Sequence, residues 1–434
     1  MPNKNQKIRN IRFAHLDAVL SENLYTIRCH GGKVTEIWFQ DSDLIDSNAK
    51  DADILVEQGH RLCHSHIHLD KCYIIDKGAP LITGDFSEAL QVTSDVKATF
   101  KNQADDLYAR GDKLIRSSVG AGVTHMRAHV EIDRTVKDIC LSTGVKLKEA
   151  WNGICDVQLC LFVQDPIFDK PEDDVPGSNA LICNGVLEHY SKSIDAIGSA
   201  PYVEQTRAQQ QANIEFILDL ATQYHLHVDF HIDYDLSPVP AETNSDKTPL
   251  VYFLISKLHE IHWTERMPDR VITLGHATRL SLFTPDQLFD LRTRIGSLPI
   301  HFVGLPQSDL YMMGRDSGER GTLNICKLGR EYDLAVAMSV NNVGNAFTPQ
   351  GTPDPLSLCP LGEAVSVGSR QAIGLNNGRD TGSLIPIIGS PADFVLLHGN
   401  HSLQSAALEP CYDRTTIRNG RIVASRRSTN LCIH

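Results

Sequence analysis

One short apolar run of this chain ends in the hexapeptide HIHLDK, residues 66–71. Alternate residues of a strand point to the same side, so a strand here presents the imidazoles of His66 and His68 to one face. Seven more short apolar runs follow along the chain, over residues 126–130, 157–163, 194–199, 226–231, 271–276, 299–304 and 334–340. Several of them also end in polar residues that can bind a metal. The pattern predicts a barrel enzyme with a metal at the mouth of the barrel.

Amphipathic helical stretches separate several of these runs. Leu107, Leu114 and Val119 recur at helical spacing, and the stretches 205–222 and 249–262 have the same character. Eight strand–helix units over roughly 300 residues are typical of an α/β protein with a closed (β/α)8 barrel of the TIM type. A doubly wound open sheet is the alternative, but no Gly-rich phosphate loop follows an early strand.

Both ends of the chain have the pattern of antiparallel strands. Gly31-Gly32 separates two β-rich runs near the start, and Asn419-Gly420 separates two near the end. Both dipeptides are typical of tight hairpin turns. Neither end has enough apolar residues for a core of its own. We therefore predict one small β-sandwich from residues 1–59 and 386–434, with the barrel over residues 60–385.

The composition is that of an ordinary globular protein: 434 residues, of which 41% are hydrophobic and 22% are charged. A formal net charge of −12 disfavours binding to nucleic acid or to an anionic membrane. We expect no membrane span, since no run of about 18 apolar residues occurs, and no secretory signal. Eleven cysteines without a CxxC pair are typical of reduced thiols, so we expect a cytoplasmic protein.

Functional side chains of a barrel collect at the carboxyl ends of its strands. The candidates at those ends are His66, His68, His129, Gln164, His231, Asp233, Tyr234, His276, Asn341 and Asn342. Two imidazoles on one face of the first strand and His231 from the fifth can bind a divalent metal at about 2.0–2.1 Å. The alternative is a set of core histidines bonded to backbone. The occurrence of histidines at four separate strand ends argues against this alternative. The amide of Gln164 can both donate to and accept from a planar cyclic amide.

Taken in order, these motifs resemble the amidohydrolase superfamily, and within it the cytosine deaminase and N-isopropylammelide amidohydrolase branch. The resemblance spans nearly the whole chain. It is carried by HIHLDK at 66–71, HMRAH at 125–129, FVQ at 162–164, HID at 231–233, GHAT at 275–278, LPQSDLY at 305–311 and PADFV at 391–395.

The resemblance implies a hydrolase that acts on a C–N bond of a small cyclic amide or amidine, as a deaminase does. One divalent metal, zinc or alternatively iron, is held by the positions that match His66, His68 and His231 together with an aspartate of the eighth strand. That aspartate and a glutamate just after the fifth-strand histidine manage the protons, and the histidine that matches His276 assists. The glutamine that matches Gln164 holds a substrate amide. Members of the family often self-associate, so a homo-oligomer is expected.

Two positions depart from the family pattern. The glutamate position is occupied by Tyr234, and the aspartate position by Asn341, which a second amide, Asn342, follows. An amide oxygen can ligate a metal but adds no negative charge, so a bound dication keeps its full charge and metal affinity falls. Asn cannot act as a general base, and a tyrosine with a pKa near 10 is better suited to donating a hydrogen bond.

The prediction for the site follows from the strand-end positions and from the family resemblance. We assign metal binding to His66, His68, His231 and Asn341, catalytic roles to Tyr234, His276, Asp233 and Asn341, and contacts with a small-molecule substrate to Gln164, His129 and Asn342. Three hypotheses stay open. The first is a hydrolase with relocated acid–base groups. The second is a cyclase, isomerase or lyase that needs no activated water, and the third is a catalytically inactive relative that binds a ligand.

Overall fold

The structure is a computed structural model. It describes residues 6–13, 24–39, 53–56, 62–240, 247–315, 319–361, 367–375, 386–400 and 402–428. The domain boundaries predicted at residues 59–60 and 385 lie outside the described residues.

The described residues form fifteen strands. In chain order they are β1 (Gln6–Phe13), β2 (Tyr25–His30), β3 (Lys33–Phe39), β4 (Asp53–Val56), β5 (Leu62–His68), β6 (Val123–Glu131), β7 (Asp156–Val163), β8 (Ala196–Ser199), β9 (His227–Ile232), β10 (Ile272–His276), β11 (Ile300–Gly304), β12 (Val336–Met338), β13 (Phe394–Leu397), β14 (Arg414–Arg418) and β15 (Arg421–Arg426).

Strands β5 to β12 form one parallel sheet in which each strand pairs with its neighbours along the chain. The sheet closes just after β12. There the N–H of Asn341 donates to the carbonyl of His66 at 3.2 Å, and the N–H of His68 donates to the carbonyl of Asn341 at 2.9 Å. Every residue of β5 and of β6 is buried, as is usual for parallel strands covered on both faces. The predicted (β/α)8 barrel is confirmed.

Helices cover the outside of the barrel and connect its strands. The α-helices are Phe86–Lys97, Ala104–Gly120, Ile139–Ala150, Ser178–Tyr190, Arg207–Tyr224, Leu250–Glu260, Trp263–Arg266, Pro285–Ile295, Pro306–Met312, Ile325–Tyr332, Val367–Ala372 and Leu403–Leu408. The 3-10 turns are Ile75–Lys77, Phe100–Asn102, Ser191–Ser193, Pro201–Val203, Thr278–Leu282 and Pro355–Leu361.

The helices predicted over 205–222 and 249–262 are present, with small shifts of their ends. The first begins at Arg207 because the side chain of Thr206 accepts a hydrogen bond from the N–H of Gln209 and so caps the helix. No helix within the described ranges has both the length and the apolar character needed to cross a bilayer.

Strands from both ends of the chain form the predicted small β-domain. Its described strands lie in a single sheet, ordered β15-β14-β13-β4-β1-β2-β3. Both predicted hairpin turns have the left-handed backbone that favours Gly and Asn, with φ of 61° at Gly31, 80° at Gly32, 47° at Asn419 and 68° at Gly420. The sheet has a small core of its own around Ile27. The candidate site therefore lies in the parallel barrel, and the terminal sheet lies outside the site.

Candidate metal centre and active site

Three imidazoles from two strands meet at the mouth of the barrel. β5 contributes His66 and His68 by alternation, and β9 contributes His231. The Nε2 atom of His231 lies 3.1 Å from the Nε2 atom of His66 and 3.1 Å from that of His68. All three side chains are almost fully buried. Gly275 gives the ring of His66 its room, because a Cβ atom at that position would lie 2.7 Å from Cε1 of His66.

A buried carboxylate lies directly beneath these imidazoles. Asp229 of β9 is fully buried, with Oδ1 3.5 Å from Nδ1 of His66 and 3.3 Å from Nε2 of His129, and with Oδ2 3.1 Å from Nη1 of Arg127. Burial opposes its ionisation, but the histidines hold the pKa of Asp229 below its usual range. An ionised carboxylate at Nδ1 favours the tautomer of His66 whose Nε2 lone pair faces the cluster.

The donor atoms fit a divalent metal. His66, His68 and His231 each offer one nitrogen, and these atoms lie within 4.8 Å of one another. Burial lowers the pKa of His66 to about 4 and holds those of His68 and His231 well below their usual value, so all three are neutral ligands near pH 7. Oδ1 of Asn341 is buried without a hydrogen-bond partner among the described residues, while its Nδ2 donates to Oγ of Ser308 at 2.8 Å. Three imidazole nitrogens this close together can bind a divalent metal.

His276, at the end of β10, forms a second functional pair beside the cluster. Its Nδ1 lies 2.7 Å from Oδ1 of Asp309, so one proton is shared between these two atoms. Burial raises the pKa of Asp309 and lowers that of His276, so His276 is a neutral imidazole. Tyr234 stacks on His276 with ring centroids 3.7 Å apart, and burial raises the pKa of its hydroxyl well above 10. Tyr234 is therefore a hydrogen-bond donor at neutral pH.

These groups surround a small cavity with free space of about 20 Å³, enough for a water molecule. It is lined by His68, Lys71, Phe86, Leu90, Gln164, Tyr202, His231, Tyr234, His276, Asn341, Asn342 and Phe347. Gln164 and Asn342 thus lie where the sequence analysis placed them, at the strand ends that face the cavity. Phe86, Leu90 and Phe347 form apolar walls of this cavity.

Lys71 brings a buried charge to this cavity. Its Nζ donates to Oε1 of Glu131 at 2.5 Å and lies 3.4 Å from Oε1 of Gln164. The other oxygen of Glu131 lies 2.5 Å from Nζ of Lys97, which also pairs with Asp133 at 2.7 Å. Burial alone would raise the pKa of Glu131, but the two ammonium groups lower it to about 2. Lys71 is therefore held in place by an ionised carboxylate on the side away from the cavity.

Three of the predicted site residues, His66, Asp233 and His129, lie outside the cavity lining. The carboxylate of Asp233 accepts from the N–H groups of Leu250 and Val251 at 2.7 and 3.0 Å, and so caps the helix that starts there. Burial raises its pKa to about 6. His129 is fully buried beneath the cluster, with its ring 4.1 Å from that of His66. Neither Asp233 nor His129 contributes to the cavity lining.

The sequence analysis assigned no role to Asp229, Arg127 or Asp309. A signal existed for Asp229, because it lies two residues before His231 and therefore on the same side of β9. Arg127 stands two residues before His129 on β6 by the same rule. Asp309 lies in the LPQSDLY segment, in the helix Pro306–Met312. Its contact with His276 depends on how that helix folds over the barrel mouth, and no periodicity predicts this.

Similarity to known proteins appears in structure only. No protein-family model and no curated protein matches the sequence. A crystal structure of 5-methylcytosine deaminase from Klebsiella pneumoniae with 5-fluorocytosine matches with a TM-score of 0.80 and 20% identity, over 99% of both chains. N-isopropylammelide isopropylaminohydrolase from Burkholderia multivorans matches with a TM-score of 0.70 and 18% identity, over 98% of this chain and 99% of that one.

A third solved structure contains a metal. Atrazine chlorohydrolase from Arthrobacter aurescens, complexed with zinc, matches with a TM-score of 0.63 and 15% identity, over 97% of this chain and 95% of that one. At these identities the comparison establishes the fold. This chain therefore shares its fold with these three proteins, as the order of its strand-end motifs predicted.

Proposed function

We propose that this protein is a metal-dependent hydrolase that cleaves a C–N bond of a small cyclic amide or amidine. The observation that carries the proposal is the convergence of the His66, His68 and His231 nitrogens at the cavity, with 3.1 Å between Nε2 of His231 and that of each partner. Core histidines bonded to backbone would not turn three ring nitrogens toward one point. The solved structures with this fold include deaminases and aminohydrolases, which supports the same class of chemistry here.

The ligands would be His66, His68 and His231, with the free oxygen of Asn341 as a neutral fourth donor. When bound, a divalent metal, zinc or alternatively iron, supplies a Lewis acid and lowers the pKa of its water toward about 7. Asp229 favours the tautomer of His66 whose Nε2 lone pair faces the cluster, and Arg127 pairs with that carboxylate at 3.1 Å. Asp229 and Arg127 would thus orient the imidazole cluster before a metal binds.

His276 and Asp309 take over the role of the missing general base. His276 lines the cavity, and its neutral ring is the candidate proton acceptor, while Asp309, 2.7 Å from Nδ1, orients the ring. Tyr234 donates a hydrogen bond from its hydroxyl to an oxygen or nitrogen of the substrate. Gln164 and Asn342 orient the planar amide, and the aromatic walls exclude bulk water.

Two measurements test the proposal. We expect the purified protein to contain about one zinc or iron per chain and to release ammonia or an amine from a cyclic amide. His231→Ala should lose both the metal and the release, whereas the exposed His189→Ala should keep both. A metal-free protein with full activity would remove the proposal.

A second function, cyclase, isomerase or lyase chemistry, is favoured by one observation. Among the described residues that line the cavity, none is Asp or Glu, and Asn341 and Tyr234 stand at the two positions where the resemblance implies acidic residues. Such an enzyme converts its substrate without consuming water. Mass spectrometry of the products separates the two functions, because the products of hydrolysis together exceed the substrate by the mass of one water and those of the alternative reactions do not.

A further inference from the structure

The side-chain amide of Asn345 has a fixed orientation. Asn345 is fully buried, and its Oδ1 accepts from the backbone N–H groups of Phe347 and Thr348 at 3.0 and 3.1 Å. Its Nδ2 donates to the backbone carbonyl of Lys71 at 3.1 Å and to Oδ1 of Asn342 at 2.7 Å. A backbone N–H can only donate and a backbone carbonyl can only accept, so the oxygen and the nitrogen of this amide cannot be exchanged.

The orientation of Asn345 decides that of Asn342. Asn342 lines the cavity and is 3% exposed, whereas Asn345 does not contribute to the lining. Because Nδ2 of Asn345 is a donor, the atom of Asn342 that faces it is the oxygen. This is the only hydrogen bond that the side chain of Asn342 makes with a described residue. The N–H2 group is therefore the polar group that Asn342 offers to the cavity.

Gln164 has a similar arrangement at another point of the cavity lining. Its Oε1 lies 3.4 Å from Nζ of Lys71, and an ammonium group has no acceptor, so the oxygen of this amide faces the lysine. Nζ of Lys71 is itself held by Glu131 at 2.5 Å. The N–H2 group of Gln164 is then left for other partners, among which is the hydroxyl of Tyr202. Two amides of the lining are thus oriented as hydrogen-bond donors.

We propose that Asn345 is a positioning residue that holds the N–H2 group of Asn342 toward the cavity, so that the cavity selects a ring with a carbonyl oxygen at this point over one with an amino group. This inference rests on the proposed function, since it takes the ligand to be a small cyclic amide. The carbonyl oxygen of such a ring accepts from Nδ2 of Asn342, whereas an amino group would place donors against donors. A buried donor without an acceptor costs more than a typical hydrogen bond contributes, so the fixed orientation discriminates between the two rings.

The test measures the binding of two uncharged planar rings by calorimetry near pH 8, on the full-length protein as purified. Uracil has carbonyl oxygens on two ring atoms that are separated by one other atom, and 1,3-diaminobenzene has amino groups on two atoms with the same spacing. The two rings therefore have nearly the same shape but opposite hydrogen-bonding groups at these positions. The measured quantity is the ratio of their dissociation constants, compared between variants, because the different hydration of the two free rings then cancels.

Asn345→Asp keeps an oxygen for the N–H groups of Phe347 and Thr348 but replaces Nδ2 by a second oxygen. An ionised carboxylate cannot donate to Oδ1 of Asn342, so we expect that amide to turn over, to donate to the carboxylate and to present its oxygen to the cavity. The ratio should then shift at least about 10-fold toward 1,3-diaminobenzene, which corresponds to about 1.4 kcal/mol. A merely structural role of Asn345 would weaken the binding of both rings by the same factor. The control is Asn152→Asp, at an exposed position, which adds the same charge and should leave both dissociation constants unchanged.

Asn342→Leu provides a second test if Asn345→Asp does not fold, because it removes the donors without adding a charge. We expect uracil to bind about 10-fold more weakly to this variant and 1,3-diaminobenzene to bind at least as tightly as before.

A ratio within about 2-fold of the wild-type ratio in each of these variants that folds would overturn the inference. The failure of both rings to bind the wild type at millimolar concentration would also overturn it. Neither result bears on metal content or amine release, which decide the proposed function. A wild-type protein without metal would remove the proposed function, while a shifted ratio would still support the orientation of Asn342 by Asn345.

Discussion

Replacing Asp229 with asparagine is expected to weaken both the barrel and the metal site. Its carboxylate lies 3.1 Å from Nη1 of Arg127, and both side chains are 0% exposed. Removing one partner of such a pair leaves a buried charge without compensation, which costs about 3–5 kcal/mol. Nδ1 of His66, 3.5 Å away, loses the nearby negative charge as well. Loss of an outer partner of this kind lowers metal affinity about 10- to 100-fold.

The assay for Asp229→Asn has two parts. Urea unfolding of the metal-free protein gives the change in the free energy of unfolding, and competition with a chromophoric chelator gives zinc affinity. Asp290→Asn is the matched control, because Asp290 pairs with Arg294 at 2.7 Å but both side chains are more than 40% exposed. We expect the control to cost about 0.5 kcal/mol or less and to leave zinc affinity unchanged.

A double variant separates the two effects. Arg127→Met combined with Asp229→Asn removes both buried charges, so part of the lost stability should return. Zinc affinity should stay low, because His66 still lacks its carboxylate. The reasoning is refuted if Asp229→Asn alone costs less than about 1 kcal/mol, or if its zinc affinity equals that of the wild type.

Three further outcomes are expected. Tyr234→Phe should change the free energy of unfolding by about 1 kcal/mol or less but lower kcat for any substrate found, and an unchanged kcat would remove the hydroxyl from the mechanism. Burial lowers the pKa of His227 to about 2, so near pH 5 to 6.5 only the unfolded chain gains this proton and stability falls as the pH falls. Between pH 6.5 and 5 that loss is about 2 kcal/mol. His227→Gln should remove this loss when the free energy of unfolding, measured with urea, is plotted against pH. Parallel plots for the wild type and the variant would contradict this. Gly198→Ala should cost about 3 kcal/mol or more, because its Cβ would lie 1.8 Å from the carbonyl oxygen of Asp229. Gly120→Ala, with no atom within 4 Å, should be neutral or stabilising by up to about 1 kcal/mol in the same unfolding assay, and equal losses in both variants would count against the packing argument.

The backbone of Asn341 explains how the fold persists with an altered site. Its N–H and carbonyl close the barrel against His66 and His68, and neither bond involves the side chain. Its φ of 68° lies in the left-handed region, which Asn and Asp both tolerate. An amide at this position therefore leaves barrel closure untouched and changes only the charge at the centre.

In the small sheet, too, local sequence explains one feature and the rest of the fold explains another. Asn419-Gly420 predicted a hairpin because those residues accept positive φ, and the structure has that turn. β4 pairs with both β1 and β13, and these pairings join the two ends of the chain in one sheet. Pairing between residues more than three hundred positions apart depends on the barrel between them, so local turn chemistry cannot specify it.

The sequence by itself determined the strand periodicity, the placement of His66, His68 and His231 at strand ends, and the neutral residues at positions 234 and 341. These are local properties, since a period of two assigns each side chain to a face and residue type fixes its charge. Only the tertiary structure decided which partners those side chains meet. The contacts of Asp229 with Arg127, of His276 with Asp309 and of Lys71 with Glu131 join residues 33 to 102 positions apart. Such contacts exist because barrel closure brings strand ends together and removes them from water, where buried charges must find a counter-charge or remain neutral.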